Sequence, residues 1–171
     1  MLKTRVIPAL LLRNENLVKT VKFDKYSYIG DPANTVRIFN ELEVDELLFL
    51  DITATRDRKE PNYNLLHDIS TECFMPLSYG GGVRNLEQAR KIFSIGFEKI
   101  CINSSNFKDL NIIRSISEEF GAQSVIGAID YKKRFWGKIE VVKGSDQKFS
   151  SKKVVEWAQR LEQKGVGEIL L

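Results

Sequence analysis

Several short apolar runs in this sequence end on a carboxylate, a polar pair or a glycine turn, and those endings are where its chemistry can sit. Asp130 closes the run that starts at Ser124, and Asp51 closes the run that starts at Glu46. A carboxylate partly withdrawn from water at the end of an apolar run suits proton exchange with a bound substrate. Asp130 is the stronger candidate general acid or base. Asp51 fits that role and that of a structural hydrogen-bond acceptor equally well. Gly80-Gly81-Gly82 follows the run from Met75 to Tyr79 and precedes a helical pattern. Glycine lets backbone amides approach an anion, and a helix N-terminus adds a favourable dipole. The turn therefore reads as a phosphate cradle at Gly81 and Gly82, or as a tight turn alone. Asn103-Ser104, after the run Lys99 to Ile102, supplies an amide and a hydroxyl for the same anion, or caps a helix. Lys19 stands in a loop where it could stabilise an anion, or it is a solvated lysine. At the opposite, amino ends of four runs stand Arg5, Glu46, Lys99 and Glu168. These four charges form either a structural plug of ion pairs or a gate to a path.

Other chemistries find no support. The one histidine, His67, lies in a helical pattern and has no ligand-spaced neighbours. Cys73 and Cys101 match neither a metal motif nor a disulfide framework, and each lies beside apolar residues, as buried free thiols do. That usage fits a reducing, cytoplasmic setting. Over 171 residues, 43% hydrophobic and 29% charged, the net charge is +3, with an isoelectric point near 8.8. The lysines and arginines read as scattered along the chain, so nucleic acid is not an expected partner. No stretch approaches the ~20 apolar residues that span a bilayer, and Met1-Leu2-Lys3-Thr4-Arg5 opens no signal peptide. The sequence predicts no metal and no cofactor.

The elements that must position these residues alternate. Strands are expected over Arg5–Leu12, Glu46–Asp51, Met75–Tyr79, Lys99–Ile102, Ser124–Asp130 and Glu168–Leu171, with a short extended piece over Lys19–Phe23. Helices are expected from Asp31-Pro32 onward, with Val36, Ile38, Phe39 and Leu42 on the apolar side, and over Tyr63–Cys73, Leu86–Ile95, Leu110–Phe120 and Val154–Lys164. Gly96, Gly121 and Gly165 close three of them. Six strands separated by helices require crossover connections and parallel pairing. An open doubly wound sheet and a barrel both satisfy that pattern. An internal repeat favours the barrel: Val6-Ile7-Pro8-Ala9-Leu10 resembles Val125-Ile126-Gly127-Ala128-Ile129, and Val44-Asp45-Glu46-Leu47-Leu48-Phe49 resembles Val166-Gly167-Glu168-Ile169-Leu170-Leu171. The two matches recur in the same order about 120 residues apart. A closed eight-stranded barrel typically takes ~250 residues. The expectation is a single, incomplete barrel domain over residues 1–171, holding about the first six strands and no second domain.

These residues carry a resemblance. Val6-Ile7-Pro8, Val18-Lys19, Gly30-Asp31-Pro32, Asp45-Glu46-Leu47 and Phe49-Leu50-Asp51-Ile52-Thr53-Ala54 resemble the cyclase subunit of imidazole glycerol phosphate synthase. The likeness continues through Gly80-Gly81-Gly82-Val83-Arg84, Ile102-Asn103-Ser104, Ala128-Ile129-Asp130, Glu156-Trp157-Ala158 and Gly165–Leu171. It implies a (β/α)₈ barrel of the histidine-biosynthesis, half-barrel-repeat type. It also implies a lyase-type synthase subunit that takes ammonia from a glutaminase partner in a heterodimer and delivers it to a phosphorylated substrate. In that family a ribulosyl aminoimidazole carboxamide ribotide is converted to imidazole glycerol phosphate. Gly82, Asn103 and Ser104 match one phosphate site, Asp130 one of two catalytic aspartates, and Arg5, Glu46, Lys99 and Glu168 the charged gate of the ammonia path.

One position departs. Leu11 stands where the family carries its other catalytic aspartate, and leucine can neither exchange a proton nor stabilise a cation. Arg13-Asn14-Glu15-Asn16 lacks the family's Asp-Gly turn. Leu10-Leu11-Leu12 with Lys19-Thr20-Val21-Lys22-Phe23 resembles a paralogous branch associated with acetamidino modification of surface-polysaccharide sugars. The alternatives are the histidine-pathway cyclase itself and a non-catalytic scaffold that holds a glutaminase.

Overall fold

A computed structural model describes residues 4–21, 25–107, 109–134, 137–143 and 148–171. Lys22 and Phe23 of the expected extended piece, and Met1-Leu2-Lys3, lie outside the described residues. The chain divides into two compact units.

The first unit holds residues 1–82 and 90–98. Its parallel strands are β1 (Ala9–Arg13), β4 (Leu47–Asp51) and β5 (Leu77–Gly80). β4 lies between the other two, with Leu11 in register with Leu50 and Leu50 with Gly80. β2 (Asn16–Val21) turns back antiparallel on β1, and β3 (Lys25–Gly30) pairs with β2. α1 (Pro32–Glu41) starts where the sequence places it: Asp31 accepts from the Asn34 amide at 3.0 Å, and Pro32 takes the first helical position. α2 (Tyr63–Glu72) is joined to α1 by a two-pronged pair from Arg37 to Glu72, both contacts 2.8 Å. Leu12, Leu17, Val36, Leu47, Phe49, Leu66, Ile69 and Ile92 are buried at the centre; each such side chain contributes about 1.5–3 kcal/mol on leaving water.

The second unit holds residues 83–89 and 99–171. β6 (Lys99–Ile102), β7 (Val125–Ala128) and β11 (Glu168–Leu170) are parallel, with β7 between the others. α4 (Asn111–Phe120) and α5 (Val154–Glu162) bring in Ile113, Ile116, Trp157 and Leu161. Beyond β7 a separate antiparallel sheet forms from β8 (Tyr131–Lys133), β9 (Ile139–Lys143) and β10 (Lys148–Phe149). The remaining helix, α3 (Leu86–Ile95), begins and ends where the sequence predicts.

The architecture is α/β with parallel central strands. The described residues hold eleven strands: β1, β4, β5, β6, β7 and β11 make the parallel pairings, and β2, β3, β8, β9 and β10 pair only antiparallel. Two expectations need correction. Ile38 and Leu42, expected on the apolar side of α1, are 57% and 63% exposed, and only Pro32 and Val36 of that helix are buried. The first strand begins at Ala9, not Arg5. Its upstream residues are held by Asp45, whose N–H donates to the Val6 carbonyl and whose carboxylate accepts from the Val6 amide at 2.7 Å, and by Leu48 N–H donating to the Pro8 carbonyl.

Candidate functional site

The carboxyl ends of parallel strands are where helix N-termini and loop amides converge, and the sequence-selected residues stand there in each unit. In the first unit Leu11 is half-buried on β1, beside Leu50 of β4 and Val18 of β2. Asp51 ends β4. Its Oδ1 accepts from the Thr53 amide and hydroxyl, both at 2.8 Å, and from the Ala54 amide at 2.9 Å. A carboxylate oxygen given three donors from the next turn is a structural acceptor, and it fixes the loop that follows β4.

The glycine turn after β5 folds against that loop. Gly81 and Gly82 take φ of 131° and 71°, backbone that favours glycine. A Cβ on Gly81 would stand 2.6 Å from the Asp51 carbonyl oxygen and 2.7 Å from Asp51 Cβ. The Gly82 amide donates to Thr55 Oγ1 at 3.3 Å, a long bond that an anion can replace. Lys19 is exposed on β2, paired across to Ser27 of β3. Among the described residues no hydrogen bond or ion pair ties it to Asp51.

In the second unit Asp130 follows β7 by two residues and is half-buried. Its backbone carbonyl accepts from Val142 N–H of β9 at 2.8 Å. Its Oδ2 accepts from Asn103 Nδ2 at 2.8 Å, and among the described residues nothing donates to Oδ1. Asn103 Oδ1 is buried without a partner. Asp130 is thus oriented through one oxygen. Asn103 therefore serves Asp130 in this structure, a role its spacing did not signal. Ser104 opens a 3-10 turn, Ser104–Phe107, which the Ser105 hydroxyl fastens to the Val83 carbonyl at 2.8 Å. Cys101, beside Asp130, is buried; loss of water, and secondarily the Asp130 charge, push its thiol up to about 12.

The amino ends carry the four selected charges as two pairs, one in each unit. Arg5 Nη1 lies 3.3 Å from Glu46 Oε2, and Glu46 is only 2% exposed. The Ser78 hydroxyl donates a short hydrogen bond to Glu46 Oε1. Lys99 Nζ lies 2.9 Å from Glu168 Oε1. Sequence reasoning missed Ser78; its signal was a serine between the large side chains of Leu77 and Tyr79. No helix of the described residues is long and apolar enough to cross a membrane.

Comparison with known proteins places this geometry in a family. A family model described as histidine biosynthesis protein matches residues 5–171. The chain is 53% identical over 171 residues to a Pseudomonas aeruginosa protein provisionally named imidazole glycerol phosphate synthase subunit hisF2, covering all of this chain and 68% of that protein. It is 45% identical over 172 residues to a Vibrio vulnificus protein provisionally named subunit hisF3 of the same synthase, covering 66% of it. It is 39% identical to imidazole glycerol phosphate synthase subunit HisF of Alkaliphilus metalliredigens, covering 68% of it. The chain thus spans about two thirds of the length of these relatives. With the parallel strands, the glycine turn, Asp130 and the paired amino-end charges all in the matched span, the chain belongs to the histidine biosynthesis protein family.

Proposed function

We propose that this chain is part of a barrel-type, ammonia-using synthase subunit that works with a glutaminase partner. We further propose that its acceptor is a surface-polysaccharide sugar, amidinated to an acetamidino group, and not the histidine-pathway ribotide. The observation that carries the reading is Leu11. It sits on β1 in register with Leu50, where the family's second acid–base group would stand, and it brings no proton-exchanging atom to the end of that strand. Removing a positioned acid–base group typically costs ~10²–10⁴-fold in rate. Asp130, held by Asn103, serves as the acid–base group. Gly81 and Gly82 in the first unit, and Asn103 and Ser104 in the second, are the phosphate contacts of this reading, and Lys19 lies on the hairpin that follows Leu11. The pairs Arg5–Glu46 and Lys99–Glu168 are each assigned to the ammonia gate. The names hisF2 and hisF3 of two relatives above 40% identity, names that mark additional copies of the subunit, support a paralogue. The histidine-pathway cyclase is the second reading, favoured by the retained Asp130–Asn103 arrangement. A scaffold without chemistry leaves that arrangement unexplained.

The test supplies the protein, extended through its native stop codon, with ammonia and the ribulosyl carboxamide ribotide, and reads imidazole glycerol phosphate by mass spectrometry. The unmodified protein is expected to give no product and Leu11→Asp to give some. Robust turnover by the unmodified protein refutes the paralogue reading.

A further inference from the structure

The sheet β8–β10 concentrates cations to a degree the linear sequence conceals. Between Tyr131 and Lys153 stand Lys132, Lys133, Arg134, Lys138, Lys143, Lys148, Lys152 and Lys153, against Glu140 and Asp146. That difference, eight minus two, is +6, twice the net charge of the whole chain. Part of it is matched locally. Glu140, 2% exposed, pairs with Arg134 at 3.3 Å and Lys138 at 2.7 Å, and Lys153 pairs with Glu156 at 2.9 Å.

Among the described residues no ion pair matches Lys143, Lys148 or Lys152. Lys143 and Lys148 face each other directly across the β9–β10 pair. Like charges in that position are destabilising, and a cross-strand pair is free to be something else. Lys152 runs beside the same strand, its carbonyl accepting from Val141 N–H at 3.0 Å. Its ammonium lies 3.7 Å from the centre of the Trp157 ring, and Arg160 stands 5.8 Å from that same ring. Beyond the loss of water, the charges that bear on Lys152 are cations, Arg160 and Lys143, and they lower its proton affinity. Phe107 stacks on Trp157 at 5.1 Å and 16°, which holds the indole in place. Tyr131, 49% exposed, lies across from Val141 on the face that carries Lys143 and Lys148. Lys152 and Arg160 thus stand at a fixed indole, and Lys143 and Lys148 oppose each other across the β9–β10 pair, an arrangement of like charges that a bound anion relieves.

We propose that Lys143, Lys148, Lys152 and Arg160 form a binding site for a diphosphate group, separate from the phosphate site at the glycine turn. Two closely spaced phosphates match the paired lysines, whereas a single phosphate spans too little of the cluster to neutralise it. Val142, the residue before Lys143 on β9, is hydrogen-bonded to the Asp130 backbone. The assignment does not rest on the ammonia reading.

The test uses the full chain with Trp136→Phe, which leaves Trp157 as the single indole. Inorganic pyrophosphate, orthophosphate, chloride and uridine diphosphate are titrated at matched ionic strength, with Trp157 fluorescence as the readout. Pyrophosphate is expected to give a saturable change at a concentration about tenfold below orthophosphate, and Lys143→Gln or Lys148→Gln to weaken it about tenfold, the scale of one charge-assisted contact. Uridine diphosphate binding as pyrophosphate does assigns the diphosphate alone; tighter binding adds a contact to the nucleoside. In the absence of anion the same substitutions are expected to raise the melting temperature, because they remove an opposed like-charge pair. Equal responses to pyrophosphate, orthophosphate and chloride, or unchanged pyrophosphate affinity in both variants, overturn the proposal.

Discussion

Replacing Gly81 with alanine tests whether the glycine turn is fixed by Asp51 or is merely permissive. At φ 131° an L residue is strained, at about 1–3 kcal/mol. The new Cβ would also stand 2.6 Å from the Asp51 carbonyl oxygen and 2.7 Å from its Cβ. Asp51 cannot step aside cheaply: it is the last residue of β4, and its carboxylate holds Thr53 and Ala54. Overpacking against such a wall adds about 1–3 kcal/mol. Gly96 is the internal comparison. Its φ of 113° carries similar strain, yet its Cβ would meet only Ser70 Cβ at an ordinary 3.8 Å. The loss of glycine's unfolded-state freedom is the same at both positions and cancels. Gly81→Ala is therefore expected to be less stable than Gly96→Ala by about 1–3 kcal/mol, a melting temperature about 2–12 °C lower. Urea unfolding followed by far-ultraviolet circular dichroism reads the difference directly. Equal midpoints, or Gly96→Ala the weaker of the two, would refute the claim that Asp51 braces the turn.

Ser78→Ala removes a hydroxyl that donates to the buried Glu46. A hydrogen bond to a charged group contributes about 1.5–3 kcal/mol, and Ser78→Thr, which keeps the donor, is expected to lose less; chemical denaturation of the pair decides. Burial lifts the Cys101 thiol from near 9 to about 12 in the folded protein, so the folded state favours the protonated form. Its contribution is complete below pH 9 and falls away as pH rises toward 12; Cys101→Ala should flatten the alkaline loss of stability seen in unfolding curves. At pH 9, Cys101 is also expected to react with a thiol reagent only on unfolding; rapid labelling of the native protein would contradict its burial.

Much of this was legible in the sequence because local rules and tertiary structure agree. Asp31-Pro32 starts α1, and α3 and β6 occupy the predicted residues. What escaped has physical causes. β8–β10 has strands of two to five residues, and in β9 the adjacent Val141 and Val142 are both buried, so the period of two that marks a strand is absent. β3 reads Lys-Tyr-Ser-Tyr-Ile-Gly and is mostly exposed, with no apolar face to announce it. Ile38 and Leu42 fit a helical stripe, but a stripe records what a helix can bury and not what lies against it. At the candidate site the positions of Asp130 and Asn103 could be read in advance, and their hydrogen bond could not, because 27 residues separate them. Asp51 was legible as a carboxylate at a strand end, and the three donors gathered on its Oδ1 were not, because they come from the shape of the turn that follows.

The placement of the amino-end charges bears on the order in which the chain can be assembled. Arg5 finds Glu46 across 41 residues, and Lys99 finds Glu168 across 69, each within its own unit. As the chain leaves the ribosome, Glu46 meets its guanidinium once the third parallel strand, with Ser78, has emerged. The cation of Lys99 meets its carboxylate only when the last strand described here arrives. Each unit thus holds one charge pair that waits on a partner distant in the sequence, and the wait is longer in the second unit.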